Sequence, residues 1–123
     1  MKKIMLSVAP VSASDTDINP RKIADDVIEC WKLGASMVHL HVRDVHGKLT
    51  PDMTLMDETI RYIREACDIV VEISTGGVSD LTIKERVQPC YAPYTEAVSL
   101  NVGSVNLGKA VYQNPIDDVE YCV

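Results

Sequence analysis

The sequence predicts an α/β protein in which parallel strands alternate with crossover helices. Three observations carry that reading. Four short runs rich in Val, Ile and Leu recur along the chain, "KIMLSVA" (3–9), "SMVHLHV" (36–42), "IVVEIS" (69–74) and "AVSLNV" (97–102). None alternates cleanly between apolar and polar, as expected of parallel strands covered on both faces. The stretches between them place apolar residues at helical spacing behind recognisable start and stop signals.

The first connection, "NPRKIADDVIECWKLG", sets Ile23, Val27, Ile28 and Trp31 on one face, with Asn19 as cap, Pro20 in the first turn and Gly34 as terminator. The second, "MTLMDETIRYIREAC", repeats Leu55, Met56, Ile60 and Ile63 on one face. The third is broken by Pro89 and Pro93, so one short helix and an irregular link are expected there. In the tail "NPIDDVEYCV", Asn114 caps and Pro115 opens a last helix. With right-handed crossovers this order makes a parallel sheet. The strand ends recur at roughly 30 residues, which is what one βα unit occupies in an eight-stranded barrel. Residues 1–123 therefore read as a single domain of about four such units, the first half of a (β/α)8 TIM-type barrel. A flavodoxin-like open sheet is the rival, but the polar loop "PVSASDTDIN" stands where a tight Gly-rich phosphate turn would be needed.

A chain of 123 residues can build one core and not two ordinary domains. A formal net charge of -6 without any basic run argues against nucleic acid and anionic membranes as partners, and no apolar stretch is long enough to span a bilayer. The start "MKKIMLSVAPVSA" superficially resembles a signal peptide, but Pro10 interrupts a short apolar run, so a first strand is expected instead. Cys30, Cys67, Cys90 and Cys122 are widely spaced without CxxC pairing, which reads as free thiols in a reducing, cytoplasmic setting.

The chemistry collects at strand ends. Residues two apart on a strand share a face, so His39 and His41 project together, about 6.6 Å apart along the chain. Converging neutral imidazoles suit zinc, although histidines in a strand often only satisfy backbone groups. His46, in the turn "DVHGK", reads as solvated. After the third strand, Ser74, Gly76 and Gly77 in "STGG" can turn backbone N–H groups toward one anion, such as a carboxylate, or can simply form a flexible turn. On the fourth strand, Ser99 and Asn101 share a face, and small polar groups directed inward need partners.

Taken together, "VAP", "GASMVHLHVRDVHGK", "ISTGG" and "SLNVGSVN" resemble the β-keto acid cleavage enzymes, zinc-dependent proteins that include the 3-keto-5-aminohexanoate cleavage enzymes. The resemblance runs over essentially the whole chain and implies a (β/α)8 barrel, a homo-oligomer that is a tetramer in full-length form, and a transferase activity. In that activity a β-keto acid and acetyl-CoA exchange to give acetoacetate and a new CoA thioester. By the same matching His39 and His41 are two zinc ligands, Ser74, Gly76 and Gly77 hold the substrate carboxylate, and Ser99 and Asn101 line the substrate pocket. Arg43 is expected to pair structurally across the barrel mouth, and Asp44 to order the turn or to support a zinc ligand from outside.

The resemblance has two departures. Ser14 stands where the aminohexanoate enzymes carry a glutamate that meets the substrate amine, which disfavours an amino-bearing substrate unless Asp15 substitutes. The third zinc ligand, a glutamate, and the general acid/base are expected downstream of Val123, so no catalytic residue is assigned within the chain. Two other readings stay open: an inactive fragment associating through exposed sheet edges, and another metal-dependent barrel hydrolase sharing only the HxH pair.

Overall fold

The computed structural model describes residues 2–123. Four parallel strands, β1 (Ser7–Val8), β2 (Met37–Leu40), β3 (Val70–Ser74) and β4 (Ala97–Ser99), lie side by side in chain order. Helices α1 (Pro20–Lys32) and α2 (Thr54–Arg64) form the first two crossovers. The third holds the short α3 (Ile83–Val87) and a 3₁₀ turn at Gln88–Tyr91, so the expected interruption at Pro89 is there. A two-stranded antiparallel hairpin, β5 (Val105–Leu107) with β6 (Ala110–Tyr112), follows, and α4 (Ile116–Cys122) comes last.

Local chemistry accounts for the helix ends. The Asn19 side chain accepts from the Lys22 N–H at 3.0 Å, and Pro20 begins α1. Gly34 closes the helix with φ +107°, a left-handed conformation that a side chain would resist. In α3, Thr82 and Glu85 form a reciprocal capping box, the Thr82 hydroxyl accepting from the Glu85 N–H and the Glu85 carboxylate from the Thr82 N–H. At α4 the expected cap is corrected. Pro115 occupies the N-cap, and Asn114 is 2% exposed, turned inward to donate to the Asn101 carbonyl and accept from Arg86.

The core lies between the sheet and its two long helices. Ala24 and Val27 from α1, and Met56, Ile60 and Ile63 from α2, pack on Val38, Leu40, Val71 and Ile73 of the sheet. Burial alternates along β2 and β3, so the expectation of strands covered on both faces is corrected. One face is apolar and sealed by helices. The other carries Met37, His39, Glu72, Ser74 and Ser99 and is only half-buried. Two further expectations shift for packing reasons. On α1 the expected Val27 is fully buried and Ile23 and Ile28 pack against the core, but small Ala24 joins them and Trp31 stays 36% exposed near the end of the helix. The first strand is shorter than residues 3–9, because pairing with β2 begins at Leu6, whose carbonyl accepts from the Ser36 and Met37 N–H groups. Ile4 is 86% exposed.

The hairpin was not anticipated. Leu107 faces Ala110 across a two-residue turn led by Gly108 at φ +63°, the glycine-first arrangement that matches strand twist. All four cysteines are free. Among the described residues no helix is long and apolar enough to cross a membrane.

Candidate active site

Strand periodicity brings the histidines together. His39 lies on the half-buried face of β2 and His41 just past its end, with ring centroids 5.0 Å apart and planes at 74°. Their Nε2 atoms face each other at 3.1 Å. The parallel register sets Glu72 of β3 directly beside His39, and its carboxylate accepts from His39 Nδ1 at 3.1 Å. That bond places the His39 proton on Nδ1 and turns the Nε2 lone pair into the site. Glu72 escaped the sequence reading. The signal was present as a lone charge inside "IVVEIS", two residues before Ser74 and so on the same face.

His41 sits in a drier place. Burial, then the neighbouring His39 ring and the Arg43 guanidinium, lowers its pKa to about 4, so the ring is neutral at pH 7. The Gly76 backbone lies near enough to raise the value slightly but outside hydrogen-bonding geometry, leaving Nδ1 a buried nitrogen without a partner. These features fit a metal ion. With the His41 proton on Nδ1, both Nε2 lone pairs point to one place, and their 3.1 Å separation approaches the roughly 3.3 Å between two nitrogens of a tetrahedral zinc. Glu72 supports from outside through Nδ1. Among the described residues no group of three His, Cys, Asp or Glu side chains forms a ready ligand set.

Beyond β3, the 74–77 segment runs next to His41. The Ser74 hydroxyl accepts from the Gly76 N–H at 3.3 Å and donates to the Gly76 carbonyl at 3.0 Å. This closes the turn on itself, with the Gly76 N–H and carbonyl both engaged by Ser74. Gly76 has φ +138°, and a Cβ there would fall 2.7 Å from the Arg86 stem. Ser99 pairs in register with Ser74, and its carbonyl accepts from the Thr75 hydroxyl at 2.9 Å. Asn101 is exposed; its carbonyl, not its side chain, is held, by Asn114. The histidines and the 74–77 segment are thus drawn together, with Ser99 one strand further and Asn101 at the rim.

The flanking residues sort plainly. His46 is exposed, and Asp44 orders its turn, its carboxylate accepting from the His46 and Lys48 N–H groups at 2.9 Å each. Arg43 does not reach across the sheet, which corrects that expectation; it donates to the Gly47 carbonyl inside the same turn. Ser14 is bound to Ser12 in an exposed loop, while the Asp15 carboxylate accepts from the Ser12 N–H at 2.7 Å. The loop rests on this turn, since a Cβ at Gly47 would overlap the Asp15 carbonyl.

Fold and site together define an α/β protein that presents paired imidazoles, a glycine-bearing turn and small polar groups beyond the carboxyl ends of parallel strands. Residues 6–123 match the model of the beta-keto acid cleavage enzyme family, and the chain belongs to that family. It is 34% identical over 115 residues to a 3,5-dioxohexanoate:acetyl-CoA acetone transferase of Paraburkholderia graminis, covering 87% of this chain and 37% of that protein. It is 35% identical over 116 residues to a 3-keto-5-aminohexanoate cleavage enzyme of Fusobacterium nucleatum, covering 88% of this chain and 42% of that protein. A 3-oxoadipate:acetyl-CoA acetyltransferase of Cupriavidus necator is 33% identical over 92 residues, 74% of this chain and 32% of that protein. The chain spans about two-fifths of the length of the first two relatives, at 37% and 42%.

Proposed function

We propose that this chain supplies the metal-binding and carboxylate-binding part of a zinc-dependent β-keto acid cleavage enzyme built on a (β/α)8 barrel. The observation that carries the reading is the convergence of His39 and His41 through Nε2 at 3.1 Å, with Glu72 holding the far side of one ring. The reaction exchanges acyl groups. The bond between the keto carbon and the carboxymethyl carbon of R–CO–CH2–COO⁻ breaks, the carboxymethyl group takes the acetyl of acetyl-CoA to become acetoacetate, and the R–CO group leaves as its CoA thioester. Atoms and charge balance without an external oxidant or reductant.

His39 and His41 would hold the zinc, which supplies a Lewis acid for the keto oxygen. Glu72 keeps the His39 ring oriented and its Nε2 free of a proton. The 74–77 segment fixes the substrate carboxylate, and Ser99 and Asn101 border the acyl group. The third metal ligand and the general base belong to the remainder of a full-length barrel, assembled as a homo-oligomer. Because neutral Ser14 offers little to offset an ammonium's desolvation, keto acids with neutral side chains are the preferred substrates.

The test is zinc content together with acetyl-CoA-dependent acetoacetate formation by this sequence in a full-length context. Loss of both in His39→Ala and His41→Ala, with neither lost in His46→Ala, is the expected result. Unchanged zinc in the first two variants removes the metal assignment, and CoA-independent turnover points to a hydrolase. A second reading, association through sheet edges, draws on the exposed Ile4, Met5 and Leu6 just before β1, Val98 in β4 and Val102 just after it. Light scattering of the chain tests it.

A further inference from the structure

Behind the 74–77 segment lies a polar cluster that the proposed chemistry does not use. Arg86, on α3, is 6% exposed. It donates through Nη1 to the Asn114 side-chain carbonyl at 2.8 Å and through Nη2 to the Asp118 carboxylate at 2.8 Å. Its guanidinium stands 5.8 Å from the centre of the Tyr112 ring. Asn114 in turn donates from Nδ2 to the Asn101 carbonyl at 2.8 Å, and its own N–H donates to the Ser104 hydroxyl at 2.9 Å.

The Arg86 stem runs flush beneath Gly76. A Cβ built on that glycine would lie 2.7 Å from Arg86 Cδ and 3.4 Å from Cγ. The Gly76 peptide is therefore clamped between the Ser74 hydroxyl on one side and the Arg86 stem on the other. The same guanidinium reaches Asn114, which holds Asn101. One buried cation thus links the turn after β3, through Asn114, to the residues just after β4.

We infer that Arg86 is a positioning residue for carboxylate recognition: anchored on Asn114 and Asp118, it fixes the Gly76 backbone and sets the spacing between the 74–77 segment and Asn101. The inference rests on the reading of residues 74–77 as the carboxylate site. Stability alone is a weak reason for such a group, since buried ion pairs are often replaceable by apolar residues without loss. Positioning differs in its consequence. Displacing backbone donors by a fraction of an ångström weakens ligand binding while leaving His39, held by the β2–β3 register and Glu72, in place.

The experiment uses the ¹⁵N-labelled chain and four proteins: wild type, Arg86→Met, Arg86→Lys and Asp118→Asn. Acetoacetate, a β-keto carboxylate, is titrated against the amides of residues 74–77; zinc is titrated separately against the histidine rings; and hydrogen exchange at Gly76 is followed without ligand. Arg86→Met is expected to weaken acetoacetate about tenfold or more and to leave zinc affinity within about twofold, as for an independent site. Its Gly76 amide should exchange about tenfold faster. Arg86→Lys keeps the stem and one charged contact and should stay within about threefold of wild type. Asp118→Asn, altered at a partly exposed anchor, should fall between them and carries the test if Arg86→Met does not fold. Unchanged Gly76 exchange and acetoacetate affinity in Arg86→Met, or in Asp118→Asn in its place, overturns the inference while the carboxylate reading stands. Absence of any acetoacetate response at residues 74–77 in wild type overturns that reading and with it the role in recognition, whatever Gly76 exchange shows about the brace.

Discussion

The two sides of the half-buried sheet face are held in place by different means. On the β2–β3 side, His39, His41 and Glu72 occupy their positions through strand alternation and parallel register, with Glu72 directly across from His39. On the β3–β4 side, Ser74 and Ser99 share a register, but Gly76 and Asn101 lie beyond the strands and are held by side chains from later segments: Asn114 on the Asn101 carbonyl, Arg86 under Gly76. The contrast teaches that paired imidazoles can be positioned by the sheet itself, whereas the residues beyond the ends of β3 and β4 need bracing from the layer behind them.

The comparison can be broken hardest at the imidazoles. In a full-length context, His39→Ala or His41→Ala should abolish the proposed stoichiometric zinc, since each removes one of about three protein ligands of a catalytic site; metal analysis after dialysis reads this directly. Next come the two faces of β3. Ile73→Ala, on the sealed face, should cost about 2–5 kcal/mol in urea denaturation, and Ser74→Ala, on the half-buried face, about 1 kcal/mol; equal costs would mean that both faces are core.

Glu72→Gln sharpens the register argument. The neutral amide orients the His39 ring less firmly, so zinc affinity should fall about 10–100-fold with little change in stability. A smaller effect belongs to pH. The folded state holds His41 neutral with its pKa lowered to about 4, so the metal-free chain should lose roughly 1–3 kcal/mol as pH falls from the ordinary histidine value near 6.5 through 4. His41→Asn should flatten that portion of the profile. The smallest effect is expected at Asn101→Ala, which should stay within about 0.5 kcal/mol of wild type, because Asn114 grips the Asn101 backbone and not its side chain.

Several features were legible because their causes are local. The strand and helix order followed from apolar runs, Asn19–Pro20, Gly34 and the Pro89 break, all of which act within a few residues. The pairing of His39 with His41 followed from the two-residue period of a strand. The β5–β6 hairpin was missed although "LGKA" carries a turn glycine, because its flanking strands are only three residues long, too short for alternation to stand out.

By itself, then, the sequence determined the α/β order, the paired imidazoles and the turn after the third strand, since each depends on backbone period or on side chains close along the chain. Only the tertiary structure decided which sheet face is sealed, that Glu72 stands 33 residues from His39 yet beside it, and that Arg86 finds Asn114 across 28 residues. The physical reason is that register and burial are set by packing between distant segments, where a polar group's partner is fixed by the free-energy cost of leaving it buried alone and not by any spacing along the chain.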